Sequence, residues 1–218
     1  CIPPAKMSVE KMFNKYGKNE TKKFFQNTIE GSNFTKNIIQ EYNIDCDLTG
    51  DSNYEVAPHP SYFDGIKEEA ATYKKEFGIE TKVFSKEEFN EIGHGGNEQF
   101  GAMSYKPGFA INPLKFVLGL ANAANEAGVK IFQKSKVTKI EKTNGKYKIV
   151  SNGNIINANK IVMATNGFYK DDLFPKLNNM ILPVISNIII TRPLTDDEIK
   201  SHNFITNNPV LNIRNLLF

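Results

Sequence analysis

Cysteine is nearly absent from this chain: only Cys1 and Cys46 occur among its 218 residues. With no metal-type spacing and no Cys-x-x-Cys pair, they exclude a cysteine zinc site and a thioredoxin-like redox centre. Spacing alone leaves a disulfide between them open, and reduced thiols in a cytoplasmic protein are the favoured reading. Long apolar runs are also missing. None reaches the roughly 20 residues that a membrane-spanning helix needs. The opening Cys1-Ile-Pro-Pro4 leads into polar residues and does not read as a signal peptide. Charge of one sign is lacking as well: 27 Lys and Arg face 24 Asp and Glu, for a net charge of +3. Basic and acidic residues are interspersed, which describes a solvated surface and not a nucleic-acid-binding stripe. Asp45 and Asp47 stand two apart, but no further oxygen ligands follow at loop spacing, so they read as a polar connection and not as a metal site.

What is present supports a folded core, since 40% of the residues are hydrophobic. Residues 8–43 read as helical, with Ser8 as a cap and a break at Tyr16-Gly17. Within the second helix, Phe24, Phe25, Ile29, Phe34, Ile38 and Ile39 are the candidate core positions. Tyr54–Ala57 is a predicted strand closed by Pro58-His-Pro60, and residues 61–77 a predicted helix. An extended stretch over 79–84 follows, and then a helix that starts at Ser85 with Glu88 in the capping-box position. Gly101–Tyr105 is a further strand, and a helix starts at Pro113 and ends at Gly128. Beyond it, Val129–Phe132 reads as a strand feeding a parallel sheet. Three short alternating segments, 136–142, 146–151 and 154–157, are separated by Asn144-Gly145 and Asn152-Gly153, the dipeptides of tight hairpins. Ile181–Ile185 and Asn187–Thr191 read as strands of a second sheet. The chain starts without Met and stops at Leu216-Leu-Phe218 in an apolar stretch, so a piece of a longer protein is the expectation.

The most informative stretch is Asn159–Tyr169. Its apolar run Ile161-Val-Met163 gives way abruptly to Ala164-Thr-Asn-Gly167, the pattern of a buried strand opening into a tight turn. In open α/β sheets, ligands sit at the carboxyl ends of such strands. Thr165 and Asn166 offer hydrogen bonds there, and Gly167 permits close backbone approach.

An ordered set of residues resembles the D-amino-acid oxidase (DAO) family of FAD-dependent oxidoreductases, and within it the gamma-glutamylputrescine oxidoreductase subgroup. The set comprises Pro107-Gly108, Asn112-Pro-Leu-Lys115, Gly119-Leu-Ala121, Ala127-Gly128, Val137, Ala164-Thr-Asn-Gly167, Leu173-Phe-Pro175, Leu182-Pro-Val184 and Thr191-Arg-Pro-Leu194. Upstream, Tyr16-Gly17, Ile44-Asp-Cys-Asp47 and Glu55-Val-Ala57 also fit. Two departures stand out. The family's Gly-x-Gly-x-x-Gly fingerprint occurs nowhere in the 218 residues, and Asn112 stands where the subgroup usually has His.

The resemblance implies an α/β fold with an α+β substrate part: an incomplete FAD-binding, Rossmann-like sheet with an inserted three-stranded β-meander, plus part of a mixed-sheet substrate domain. It divides the chain into a helical segment (1–50), a substrate-domain part (51–110), an FAD-binding part (111–175) and substrate-domain strands (176–218). FAD is the implied cofactor, held by Val137 through its backbone and by Ala164, Thr165, Asn166 and Gly167 at the diphosphate and ribose. The implied partner is a small amine or amino acid oxidised at its C–N bond by hydride transfer to the flavin. A glycine- or sarcosine-type oxidase or demethylase is the alternative on the same fold, and a binding protein that has lost its cofactor is the alternative of another class. No motif assigns a catalytic residue. His94, Tyr105 and Lys106 lie near predicted strand ends and read as solvated loop positions.

Overall fold

The computed structural model describes residues 7–167, 173–182, 184 and 189–212. In chain order the elements are α1 (Val9–Glu41), β1 (Asn53–Val56), α2 (Pro60–Phe77), β2 (Thr81–Phe84), α3 (Lys86–Ile92), β3 (Ala102–Tyr105) and α4 (Pro113–Glu126). They continue with β4 (Val137–Thr143), β5 (Lys146–Ser151), β6 (Asn154–Ala158), a single 3₁₀ turn at Pro175–Leu177, α5 (Asp196–Ser201) and β7 (Val210–Asn212). The chain forms two compact units, Cys1–Val129 with Pro193–Phe218, and Lys130–Arg192.

The first unit is built on a four-stranded mixed sheet in the order β2-β3-β1-β7, in which β1 and β7 are parallel and the other pairs antiparallel. Side chains alternate between the two faces of a strand. Ala57, Met103 and Tyr105 therefore share a core with Ile66, Ala70 and Tyr73 of α2 and with Val9, Met12 and Phe25 of α1. On the other face Tyr54, Val56, Phe84 and Ala102 pack with Phe89 of α3.

Helix α1 runs through the expected break, where Gly17 alone leaves helical geometry (φ 80°, ψ 161°). Ser8 occupies the N-cap without making a side-chain cap bond. The predicted aromatic stripe is only partly the core. Thr21, Phe25, Ser32 and Ile39 are buried, whereas Phe34 is 65% exposed. Phe34 lies nine residues from Phe25, half a turn out of phase at 3.6 residues per turn, so it faces water. The other helix boundaries follow their caps. Ser85 and Glu88 close a reciprocal capping box on α3, and α2 ends at Gly78 in the left-handed region (φ 67°). From the Pro58-His-Pro60 turn, His59 caps α2: its Nδ1 accepts from the Ser61 N–H.

In the second unit, β4, β5 and β6 form the expected antiparallel meander. Both hairpin loops place Asn and Gly at positive φ (Asn144 50°, Gly145 78°, Asn152 48°, Gly153 78°), the geometry that matches the twist of the flanking strands.

The strands expected at Val129–Phe132 and Ile161–Ala164 are not formed. Val129, Ile131, Phe132 and Val162 are exposed. A parallel strand needs a neighbour's ladder, and among the described residues none supplies one to these segments. Likewise, Ile181, Leu182, Val184 and Ile189–Thr191 are not in strands, and the remainder of those two predicted strands lies outside the described residues. The apolar end at Asn215–Phe218 also lies outside them. Helix α5 was not anticipated, although its Thr195-Asp-Asp-Glu198 capping box was legible in the sequence.

Candidate functional site

Two of the family-like segments, 65 residues apart in sequence, meet in the first unit. Asn112 caps α4 by accepting the Lys115 N–H (3.2 Å), and its side-chain amide donates to Asp47 Oδ2 (3.1 Å). Pro113 follows at the first helical position, where a missing N–H is harmless. One turn on, Lys115 Nζ donates to Asp47 Oδ1 and lies 3.8 Å from Asp45. The backbone seals the corner: the Asn112 N–H donates to the Cys46 carbonyl (2.7 Å), and Thr49 and Ala110 exchange hydrogen bonds. Beneath it, Cys46 packs in a buried cluster with Ile39, Ile44 and Phe109.

The electrostatics follow from these contacts. Hydrogen bonds from Lys115 and then Asn112 hold the Asp47 carboxyl below its usual range, and the same bond raises Lys115. Burial, reinforced by Asp45 and Asp47, pushes the Cys46 thiol up and leaves it an unreactive thiol. Beside the corner a groove of about 450 Å³ is lined by Tyr42, Asp45, Lys115, Leu118, Asn122 and Glu126. Asn112 thus serves as a helix cap and as the clamp of an acidic loop.

The predicted cofactor residues lie in the second unit. Val137 opens β4 opposite Ser151, with a bulge before Lys139. As an edge strand among the described residues, β4 keeps one row of backbone groups outside the ladder. Ala164, Thr165 and Asn166 are exposed, Gly167 is half-buried, and Asn166 takes a left-handed conformation (φ 53°). Small side chains and an open main chain of this kind can aim N–H groups at a phosphate, which fits the diphosphate of a dinucleotide. Among the described residues, no backbone pairing joins Val137 to the 164–167 turn.

The remaining candidates have structural roles. Tyr105 is buried, not solvated, and its hydroxyl accepts from Asn53 Nδ2 (2.7 Å). Lys106 faces Asp51 (3.4 Å) and Glu80 (3.8 Å). The His94 ring stands edge-on to Phe89 and beside Phe204. The sequence reading missed Glu55, a carboxylate only 6% exposed on the central strand β1. The one available signal was a charged residue inside the short apolar run Tyr54-Glu-Val-Ala57. Among the described residues there is no metal-type cluster and no helix long and apolar enough to cross a membrane.

Known proteins resemble this chain over most of its length. The probable oxidoreductase OrdL of Haemophilus influenzae is 26% identical over 195 residues, which cover 86% of this chain and 44% of that protein. The gamma-glutamylputrescine oxidoreductase of Escherichia coli is 22% identical over 187 residues, covering 85% of this chain and 43% of the relative. The chain thus spans less than half the length of both relatives. Among solved structures, a glycine oxidase from Geobacillus kaustophilus shares the fold with a TM-score of 0.55 at 19% identity, over 67% of this chain and 40% of the other. A glycine oxidase from Bacillus cereus shares it with a TM-score of 0.53 at 15% identity, over 69% and 40%. The family described as FAD dependent oxidoreductase (DAO) matches residues 10–216, nearly the whole chain, and the chain belongs to that family.

Proposed function

We propose that this chain is part of a flavoenzyme that oxidises the C–N bond of a small amine or amino acid. The observation that carries the reading is the family match across residues 10–216. The names of the gamma-glutamylputrescine oxidoreductase and the glycine oxidases add amines and amino acids as the substrate class. When bound, FAD accepts a hydride from the carbon that bears the nitrogen.

The chain's own residues would hold and position. Outward backbone groups of β4 at Val137 would meet the adenine, and the Ala164–Gly167 turn would face the diphosphate and ribose. On this reading, residues 111–175 belong to the cofactor-binding domain, and 51–110 and 176–218 to the substrate domain. Clamped by Asn112 and Lys115, the Asp47 loop would hold fixed the start of the helix that enters the cofactor domain. The location of the enzyme in the cell is taken as cytoplasmic.

The test is expression of the whole protein, followed by flavin absorbance and turnover of a panel of primary and secondary amines. Bound flavin with oxidation of primary amines or amino acids is the expected result. Preference for N-methyl amines would move the assignment to a sarcosine-type demethylase, and a colourless protein would refute it. Gly167→Val should reduce retained flavin by crowding the turn, whereas Val137→Ile should leave it unchanged because that contact is made by backbone.

A further inference from the structure

One titratable cluster in the first unit takes no part in the proposed chemistry. Glu55 projects from β1 toward the helical layer, on the face that carries Asn53, Met103 and Tyr105. It is 6% exposed, and among the described residues its Oε2 has no hydrogen-bond partner. Asn53, fully buried beside it, gives its amide to Tyr105, and its own Oδ1 has no partner among the described residues. Glu69 of α2 is half-buried, and its charge acts on Glu55. Tyr105 comes from β3, and the α1 residues packed here, Val9 and Met12, are apolar. On β7, Leu211 stands opposite Glu55. Glu10 of α1 lines, with Glu68 and Glu69, a shallow hollow over α2. Among the described residues, the only charge acting appreciably on Glu55 is that of Glu69, and it has the same sign.

A buried carboxylate without a cation or donor is costly to ionise, and a second carboxylate beside it raises that cost. We propose that Glu55, buried without a partner under the helical layer, is a proton-holding group: the folded protein keeps it un-ionised at neutral pH, and loss of that proton loosens α2 from the sheet. This inference stands apart from the flavin assignment. Burial first, and the Glu69 charge second, push Glu55 up to about 8 from its ordinary 4.5. Glu69 is also raised by burial, with Tyr73 opposing the shift. Tyr73 and Tyr105 are raised too, so both stay neutral throughout this range.

The sign follows from proton counting. Below the ordinary value of 4.5 both the folded and unfolded states hold the proton, and stability is complete. Above it the unfolded chain releases the proton and the folded chain does not. The folding equilibrium then falls about tenfold per pH unit. The fall levels off as Glu55 ionises in place, near pH 8.

The experiment is infrared and carboxyl carbon NMR spectroscopy of the whole protein across this range, with hydrogen-exchange protection factors for α2. At pH 7 the wild type should show an un-ionised carboxyl signal that disappears near pH 8 and is absent in Glu55→Gln. Protection of α2 should fall with rising pH in the wild type and fall less steeply in Glu55→Gln, an isosteric stand-in for the protonated acid, because Glu69 keeps a raised pKa of its own. Glu69→Gln should move the Glu55 transition to lower pH by removing the like charge. An ionised Glu55 at pH 7, read on the wild type alone, would overturn the proposal even if neither variant folds. So would an α2 protection profile with the same pH dependence in wild type and Glu55→Gln.

Discussion

Two helical glycines predict opposite responses to the same substitution. Gly31 lies within α1, is exposed, and has nothing within 4 Å of the position a Cβ would take. Alanine there should stabilise by about 0.8–1.0 kcal/mol, the difference in helix propensity. Gly119 lies within α4, where a Cβ would stand 2.3 Å from Ile44 Cγ2 and 3.1 Å from two further Ile44 carbons. Carbon atoms pack best at about 3.5–4.0 Å. Ile44 is β-branched, so its χ1 is stiff, and it is held in a cluster with Ile39, Cys46 and Phe109. Overpacking of this kind costs about 1–3 kcal/mol. With contacts this short the cost falls in the upper half of that range and exceeds the propensity gain of about 1 kcal/mol. Gly119→Ala should therefore destabilise by about 1–2 kcal/mol net. The assay is the denaturant midpoint of each variant at unchanged slope. In the double variant with Ile44→Ala, the summed effects should fall short of additive, because the clash partner has gone. Equal stabilisation by Gly31→Ala and Gly119→Ala would refute the packing of α4 against the Ile44 loop.

Phe25→Ala removes a ring that stacks on Phe77 at 4.0 Å and stands edge-on to Tyr73 at 5.6 Å, and it should cost about 3–5 kcal/mol in thermal or chemical unfolding. Phe34→Ala, on the opposite face of the same helix, should stay within about 0.5 kcal/mol of wild type. The Asp47 carboxyl, followed by carbon NMR, should titrate below its ordinary 3.8, and Lys115→Met should return it most of the way. Its contribution to stability is present above the unfolded value and is lost as the pH falls through the folded one, and added salt should shrink it because the pair is exposed.

The helices and hairpins were legible because their signals are local. Ser85-Lys-Glu-Glu88 bounds its helix through bonds made within four residues. Asn144-Gly145 and Asn152-Gly153 adopt positive φ because their own backbones favour it. The family assignment was legible for a related reason, since an ordered set of short segments survives in sequence whatever the packing. The segments at 129–132 and 161–164 were misread because an apolar run reports suitability for burial and does not supply a ladder to pair with. Among the described residues Val137 lies in an edge strand and Ala164–Gly167 in an open turn, not at the mouth of a parallel sheet.

Sequence by itself determined the local geometry of this protein: its caps, its turns, the helical period that puts Phe25 and Phe34 on opposite faces, and its family. Only tertiary structure decided which distant residues meet. It set Asn112 and Lys115 on Asp47, Ile44 on Gly119, and Glu55 under the helical layer with its Oε2 unpartnered among the described residues. The physical reason is that caps and turns are satisfied within one or two turns of chain. The state of a buried charge is set by neighbours that the chain brings together only when it folds.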